Sequence, residues 1–426
     1  MTWLEQEIAR NQKRIDKINA NPDSTKIKAN KLLYELERDL RIAQMEAWKT
    51  GNKPLINSDH LPPLVYAMGG IGIDMTGAAD RTMLATEYFN ILRSNNFPDD
   101  ACDRTIVIIA LTVSKNFPPP NFVISTSFAC PMECVSPKAI GEYYNLPTFH
   151  IDTTLEISDA GLTYVTDQIG EMIEFAEAKV PGIKYSEERL LYALEYDKIA
   201  HECAKKIHQL RKRVPCPLAG QDAFRIPRIP SMYPDPKKGA EYWKQFAEEM
   251  TDRAEKGYGV LPDEKLRFLW AVTGPFYFNP FDILAKRGVA VPALQFGVMS
   301  RWFGAEYGLF GDETEYGRKL TPFEELARFL NGNTWAGVGH RWVDSTVNMA
   351  KDLKCDGIIY FLQLGCSASG GVSRLVAEKA ERELGIPTLM LEGRQLDPFY
   401  KSQQESEEEM NAFIDLCLNK KKSKSK

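Results

Sequence analysis

A thiolate can ligate a soft metal, attack as a nucleophile or change redox state, and this chain of 426 residues carries eight cysteines. They are scattered, with no C-x2-C pair. Cys130-Pro-Met-Glu-Cys134 is a C-x3-C pair, which alone specifies little. Spacing therefore leaves ordinary small buried thiols open as a reading of every one of them. Position says more. Cys130 follows the strand candidate Asn121-Phe-Val-Ile-Ser-Thr126, and Cys366 follows the strand candidate Gly357-Ile-Ile-Tyr-Phe-Leu362. Cys102 lies in Asp99-Asp100-Ala101-Cys102-Asp103-Arg104, at the start of segment 104–113. Cys203, Cys216, Cys355 and Cys417 read as core or surface thiols.

Other chemistries are poorly supplied. Leu364-Gly-Cys-Ser-Ala-Ser-Gly-Gly-Val372 opens a helix directly after a strand. Small residues there admit an anion such as a phosphate, a cluster sulfide or a thioester oxygen; a plain tight turn needs glycine too. It matches neither phosphate-binding glycine motif. It nearly matches a hydrolase elbow, but that fold wants a histidine after the serine, and the last of the five histidines is His340. No H-E-x-x-H pair is present, which argues against a zinc hydrolase. His150 reads as a core residue in a strand; His340 begins a helix and could face a cleft. The aromatic runs Phe276 to Phe281 and Trp302-Phe303 read as core, with a pocket wall as the alternative.

The elements that would have to position these cysteines alternate between strand and helix. Residues 1–52 read as two helices split by a turn at Asn21-Pro22-Asp23-Ser24. Residues 53–180 read as a first α/β lobe. In it, Asn121–Thr126, a helix from Ser136 to Asn145 with Pro137 at its first position, and Pro147–Asp152 form a βαβ unit, hence a parallel sheet. Residues 181–262 read as helical, and residues 263–418 as a second α/β lobe with strands near 267–273, 289–294, 357–362 and 388–391. The fold class expected is α/β, with two parallel-sheet Rossmann- or flavodoxin-like lobes, a helical N-terminus and a helical middle. Parallel sheets bind ligands at the carboxyl ends of their strands. Cys130 and Cys366, each just past a strand, could then face one another across an interlobe cleft.

Composition excludes some partners. Net charge is −5, so nucleic acid is not expected, and the basic run 419–426 reads as a frayed tail. The charged N-terminus lacks an apolar signal core, and no window approaches a membrane span. A cytoplasmic protein with no membrane partner is expected.

Four segments taken together resemble the 2-hydroxyacyl-CoA dehydratase and benzoyl-CoA reductase family, in particular its cluster-bearing, dehydratase D-component type subunit. They are Asp99-Asp100-Ala101-Cys102; Pro120 through Cys130; Tyr143 through Asp152; and Cys355 through Cys366 with Gly385-Ile-Pro-Thr388 and Asp397-Pro398. The resemblance implies a [4Fe–4S] cluster held by Cys102, Cys130 and Cys366, with one iron left open. It implies an acyl-CoA substrate, a second homologous cluster-bearing subunit and a separate ATP-hydrolysing activator that injects a low-potential electron. It implies formation of a ketyl radical on the thioester and elimination of water to an enoyl-CoA. Reduction of an aromatic acyl-CoA ring, or a non-catalytic electron-transfer role, are the alternatives. Three segments depart from the family pattern: Ile73-Asp74-Met75-Thr76 replaces a Pro-Glu-Asn type segment, Ser367-Ala368-Ser369-Gly370 replaces bulky polar residues, and Phe399 follows Asp397-Pro398 where the family commonly has arginine. Catalytic side chains and the role of Cys134 stay unassigned at this level.

Overall fold

A computed structural model describes residues 2–21, 26–58, 60–82, 85–94, 97–98, 100–128, 130–218, 220, 222, 230–295, 316–332 and 339–424. Asp99, Ala129, Trp302, Phe303 and the turn at Pro22 to Ser24 lie outside them.

Two four-stranded, all-parallel sheets organise the chain. The first contains β1 (Leu55–Asn57), β2 (Ile71–Ile73), β3 (Phe122–Thr126) and β4 (Thr148–Ile151) in the order β2-β1-β3-β4. The second contains β5 (Leu266–Ala271), β6 (Val289–Ala290), β7 (Gly357–Gln363) and β8 (Thr388–Gly393) in the order β6-β5-β7-β8. Counted within each lobe, the order is the same. The direction in which successive strands are added reverses between β1 and β3 and between β5 and β7, the place where open parallel sheets leave a crevice. The expected α/β architecture with two parallel-sheet lobes is what is found.

Central strands in such sheets are covered on both faces and read as unbroken apolar runs. β3 is buried throughout, and so is β5, which includes Arg267. Arg267 is tolerated there because Glu264 neutralises it and the carbonyls of Arg211, Arg213 and Leu353 accept its remaining N–H groups.

One core lies on the outer side of the first sheet, built from Ile56, Phe122, Ile124 and Ile151 with helices Asp159–Lys179 and Pro322–Gly332. The other side belongs to a larger core that runs on through the N-terminal helices (Trp3–Ala20 and Asn30–Thr50), helix Asp103–Val113 and the whole second lobe. Two long helices, Glu187–Arg211 and Pro236–Glu255, pack on each other as the expected helical middle.

Some local expectations change. The helix predicted from Ser136 begins earlier, at Pro131 with Cys130 as its N-cap, and Pro137 lies inside it. Pro131 already supplies the preset φ of a first helical residue. The basic run expected to fray is helical through Lys424, in helix Gln403–Lys424. There Lys420 pairs with Glu381 at 2.8 Å, and Lys421 reaches the Lys265 carbonyl at 3.0 Å and Asp356 at 3.2 Å. Among the described residues, no helix is long and apolar enough to cross a membrane.

Candidate functional site

Cys102, Cys130 and Cys366 share one local role: each is the N-cap of a helix, respectively Asp103–Val113, Pro131–Tyr144 and Ser367–Leu384. A helix N-terminus presents unpaired amide N–H groups and the positive end of the helix dipole, which favours a thiolate over a thiol. At Cys102 the amides of Arg104 and Thr105 and the Arg104 guanidinium pull in that direction, while burial and the neighbouring Cys366 push the thiol up; burial is the largest effect and the net direction is upward. That influence puts the two sulfurs within electrostatic reach of each other although 264 positions separate them in sequence.

Cys102 comes from the first half of the chain but is delivered to the carboxyl edge of the second sheet. Gly365, at φ +76°, makes this possible. A Cβ there would stand 2.6 Å from the carbonyl oxygens of both Asp100 and Ala101, so only glycine lets the two backbones meet. Next to Cys102, fully buried Asp103 accepts from Arg394 at 2.8 Å and from the Leu396 amide at 2.8 Å, both just after β8. Arg104 grips Asp80 with two bonds of 2.6 and 2.8 Å, reaches Thr273 at 3.2 Å and lies over the Phe276 ring. Arg93 meets Asp397 at 3.4 Å. Gln363, the last residue of β7, donates its side-chain amide to the Cys102 sulfur at 3.4 Å. Arg93 and residues 100–104 are thus tied to the ends of β5, β7 and β8.

The end of β5 is itself under constraint. Val272 takes φ +69°, a region that a β-branched side chain adopts only under tertiary compulsion. Its amide donates to Gln295 at 3.2 Å, and Gln395 holds both the carbonyl and the hydroxyl of Thr273, at 2.8 and 2.5 Å. Behind Cys366, buried Tyr360 donates to the Ser369 carbonyl at 2.7 Å and fastens the start of the following helix to β7.

The first sheet's edge is furnished differently. Cys130 and Cys134 are both half-buried there, and Ser125 bonds His150 at 3.0 Å and the Cys134 carbonyl at 3.4 Å. Asp74 caps the short helix after β2 through Gly77 at 2.6 Å, so the departure at Ile73–Thr76 keeps a carboxylate in a structural position. Asn57 and Thr126 close the adjacent strands β1 and β3. The Asn57 side-chain carbonyl and the Thr126 hydroxyl are buried without hydrogen-bond partners among the described residues. Such groups are costly unless a ligand or water completes them.

The remaining cysteines differ in kind. Cys216, Cys355 and Cys417 are buried, and burial pushes their thiols up, to about 11 at Cys216 and about 12 at Cys417, so they stay protonated. Cys203 is half-buried on its helix. By donor chemistry, Cys102 and Cys366 fit an iron–sulfur group: soft sulfur ligands, helix N-termini behind them and an amide donor aimed at one sulfur. Among the described residues, no three His, Cys, Asp or Glu side chains stand together as a metal site. Cys102 and Cys366 lie within electrostatic reach of each other, and among the described residues Cys130 does not stand with them as a three-ligand group.

Sequence reasoning passed over Asp103, Arg394 and Gln363. A charged residue directly after a candidate ligand, and a glutamine ending an apolar strand, were the available signals.

Comparison with known proteins adds a family context. The model of the family described as 2-hydroxyglutaryl-CoA dehydratase, D-component, matches residues 61–415. The (R)-phenyllactyl-CoA dehydratase alpha subunit of Clostridium sporogenes is 21% identical over 342 residues, covering 77% of this chain and 79% of the relative. The (R)-2-hydroxyisocaproyl-CoA dehydratase alpha subunit of Clostridioides difficile is 22% identical over 315 residues, covering 72% of this chain and 74% of the relative. The alpha subunit of (R)-2-hydroxyglutaryl-CoA dehydratase from Acidaminococcus fermentans is 20% identical over 288 residues, covering 66% of this chain and 57% of the relative.

Proposed function

The chain belongs to the 2-hydroxyglutaryl-CoA dehydratase D-component family, and on that premise we propose that it is the cluster-bearing subunit of a 2-hydroxyacyl-CoA dehydratase-type enzyme. The observation that carries this reading is the delivery of the Cys102 segment, through Gly365 and Gln363, to the sheet edge that bears Cys366, within a family-matched chain. Cys102 and Cys366 would hold an iron–sulfur cluster, and Cys130, which among the described residues does not stand with them as a three-ligand group, would be drawn in as the third ligand when the cluster binds. When bound, such a cluster supplies low-potential electron transfer to the thioester.

The chain's own residues would do the rest. Gly365 and the Asp103–Arg394 pair hold the Cys102 segment against the second lobe, which leaves Cys102 and Cys366 half-buried and limits the water around their sulfurs. The helix N-termini behind the three cysteines favour the negative charge that the ligands carry. At the first sheet's edge, the Asn57 carbonyl can accept from a substrate hydroxyl or amide, and Thr126 can donate or accept. The net reaction is redox-neutral: an acyl-CoA loses its 2-hydroxyl group and a 3-hydrogen as water. A second subunit and an ATP-hydrolysing activator belong to this proposal, as the relatives' designation as alpha subunits suggests for the first of them.

The test is anaerobic co-purification with a partner subunit, followed by assay with activator, ATP and reductant. A panel of (R)-2-hydroxyacyl-CoA thioesters is compared with benzoyl-CoA. Enoyl-CoA formation from a panel member is expected. Turnover of benzoyl-CoA alone would move the chain to ring reduction, and an iron-free chain after reconstitution would remove the cluster altogether.

A further inference from the structure

Gln363 is 5% exposed, closes the central strand β7, and points its amide nitrogen at Cys102 Sγ across 3.4 Å. The bond joins residues from the two halves of the chain, so neither local geometry nor helix capping brings it about. A deprotonated sulfur carries lone pairs and no proton, so only the NH2 side of the amide can bond to it. Beside it stand the inward-facing amides of Arg104 and Thr105 and the charge of Arg104. Against the burial that pushes the Cys102 thiol up, these groups favour negative charge on the sulfur of this half-buried side chain. The strand that corresponds in the first lobe, β3, ends in Thr126.

Hydrogen bonds to the sulfurs of an iron–sulfur centre stabilise its more negative, reduced state and raise its reduction potential. We propose that Gln363 is a positioning residue that sets the reduction potential of the group held by Cys102 and Cys366. The inference rests on the cluster reading of this site and deepens it: it assigns the tuning to one side chain, with no contact to substrate required.

The experiment uses the full chain, reconstituted anaerobically with iron and sulfide, as wild type, Gln363→Leu and Gln363→Glu. Leucine removes the donor at similar volume; glutamate keeps the shape and replaces the donor by an acceptor with negative charge. Iron content, melting temperature and the midpoint potential by spectroscopic titration are read for each. Wild-type iron content with a more negative potential in both variants is expected. For Gln363→Leu the change should approach tenfold in the reduced-to-oxidised ratio at a fixed potential, about 59 mV for one electron, and Gln363→Glu should move further. Folded, iron-replete variants with the wild-type potential would overturn the proposal. Folded variants that both lose iron would also overturn it, because Gln363 would then hold the site together without tuning it. If only Gln363→Leu loses iron, the Gln363→Glu potential decides. A wild-type chain that takes up no iron would refute the cluster reading itself, which separates that failure from this one.

Discussion

The two sheets have the same strand order and put a cysteine at the same place, the N-cap of the helix after the third strand, yet their edges are furnished differently. At the second sheet a distant segment is bonded to the edge: Asp103 with Arg394 and Leu396, Arg104 with Thr273, and Cys102 with Gln363, while the Ser369 hydroxyl and the Gln395 side-chain carbonyl are buried without partners among the described residues. At the first sheet, Asn57 and Thr126 leave buried polar atoms without partners among the described residues. Bonds between distant segments preorganise the second edge, and at both edges a ligand or water would complete the buried polar groups left over. One topology used twice thus gives one edge that receives Cys102 from a distant segment and one that carries Cys130 on its own following helix.

The comparison is broken most severely by removing Asp103. An uncompensated Arg394 would be left in a buried interlobe contact, so Asp103→Ala should cost about 3–5 kcal/mol. Chemical denaturation checks the stability. Limited proteolysis should also show new cleavage within 93–104; unchanged protection there would mean that the segment is held by other contacts.

The opposite outcome is expected at the first edge. Asn57→Leu replaces a buried amide lacking a partner for its carbonyl with an apolar group of similar size. Stability should be unchanged or rise by up to about 1 kcal/mol, while the KM for acyl-CoA increases. A marked loss of stability would show that Asn57 is a structural residue.

Acid gives the smallest effect, and it has opposite signs at the two edges. Burial, with Lys138 nearby, lowers the His150 pKa below 6.5. Its contribution to stability is therefore complete above pH 6.5 and fades as pH falls towards the folded value. Burial raises the Asp103 carboxyl above 3.8, against the pull of the Leu396 amide and Arg394. Its shift favours folding more as pH falls through the raised value towards 3.8. Amide exchange between pH 6.5 and 5 should therefore loosen at β4 before it loosens in helix Asp103–Val113. The His150 effect should stay well under about 1.4 kcal/mol per pH unit, because solvent screens the half-buried ring. Equal loosening of both would remove this distinction.

Much of this was legible from residues alone. The apolar runs at 122–126 and 357–363 and their flanking helices announce parallel strands. β1 and β2 escape notice because Leu55-Ile-Asn57 and Ile71-Gly-Ile73 are too short to show a period. The shared strand order escapes because register is fixed only by pairing. Pro137 resembles a helix start until Pro131 is seen to hold that position. The positions of Cys102 and Cys366 after or before their elements could be read, but their approach to each other could not. It depends on Gly365 admitting the backbone of Asp100 and Ala101.

Iron and sulfide per chain after anaerobic reconstitution, across single cysteine variants, test the central claim most directly. Cys102→Ser and Cys366→Ser should each abolish cluster occupancy, while Cys203→Ser and Cys417→Ser should retain the wild-type amount. Equal iron in all four variants would contradict the assignment of Cys102 and Cys366 as ligands.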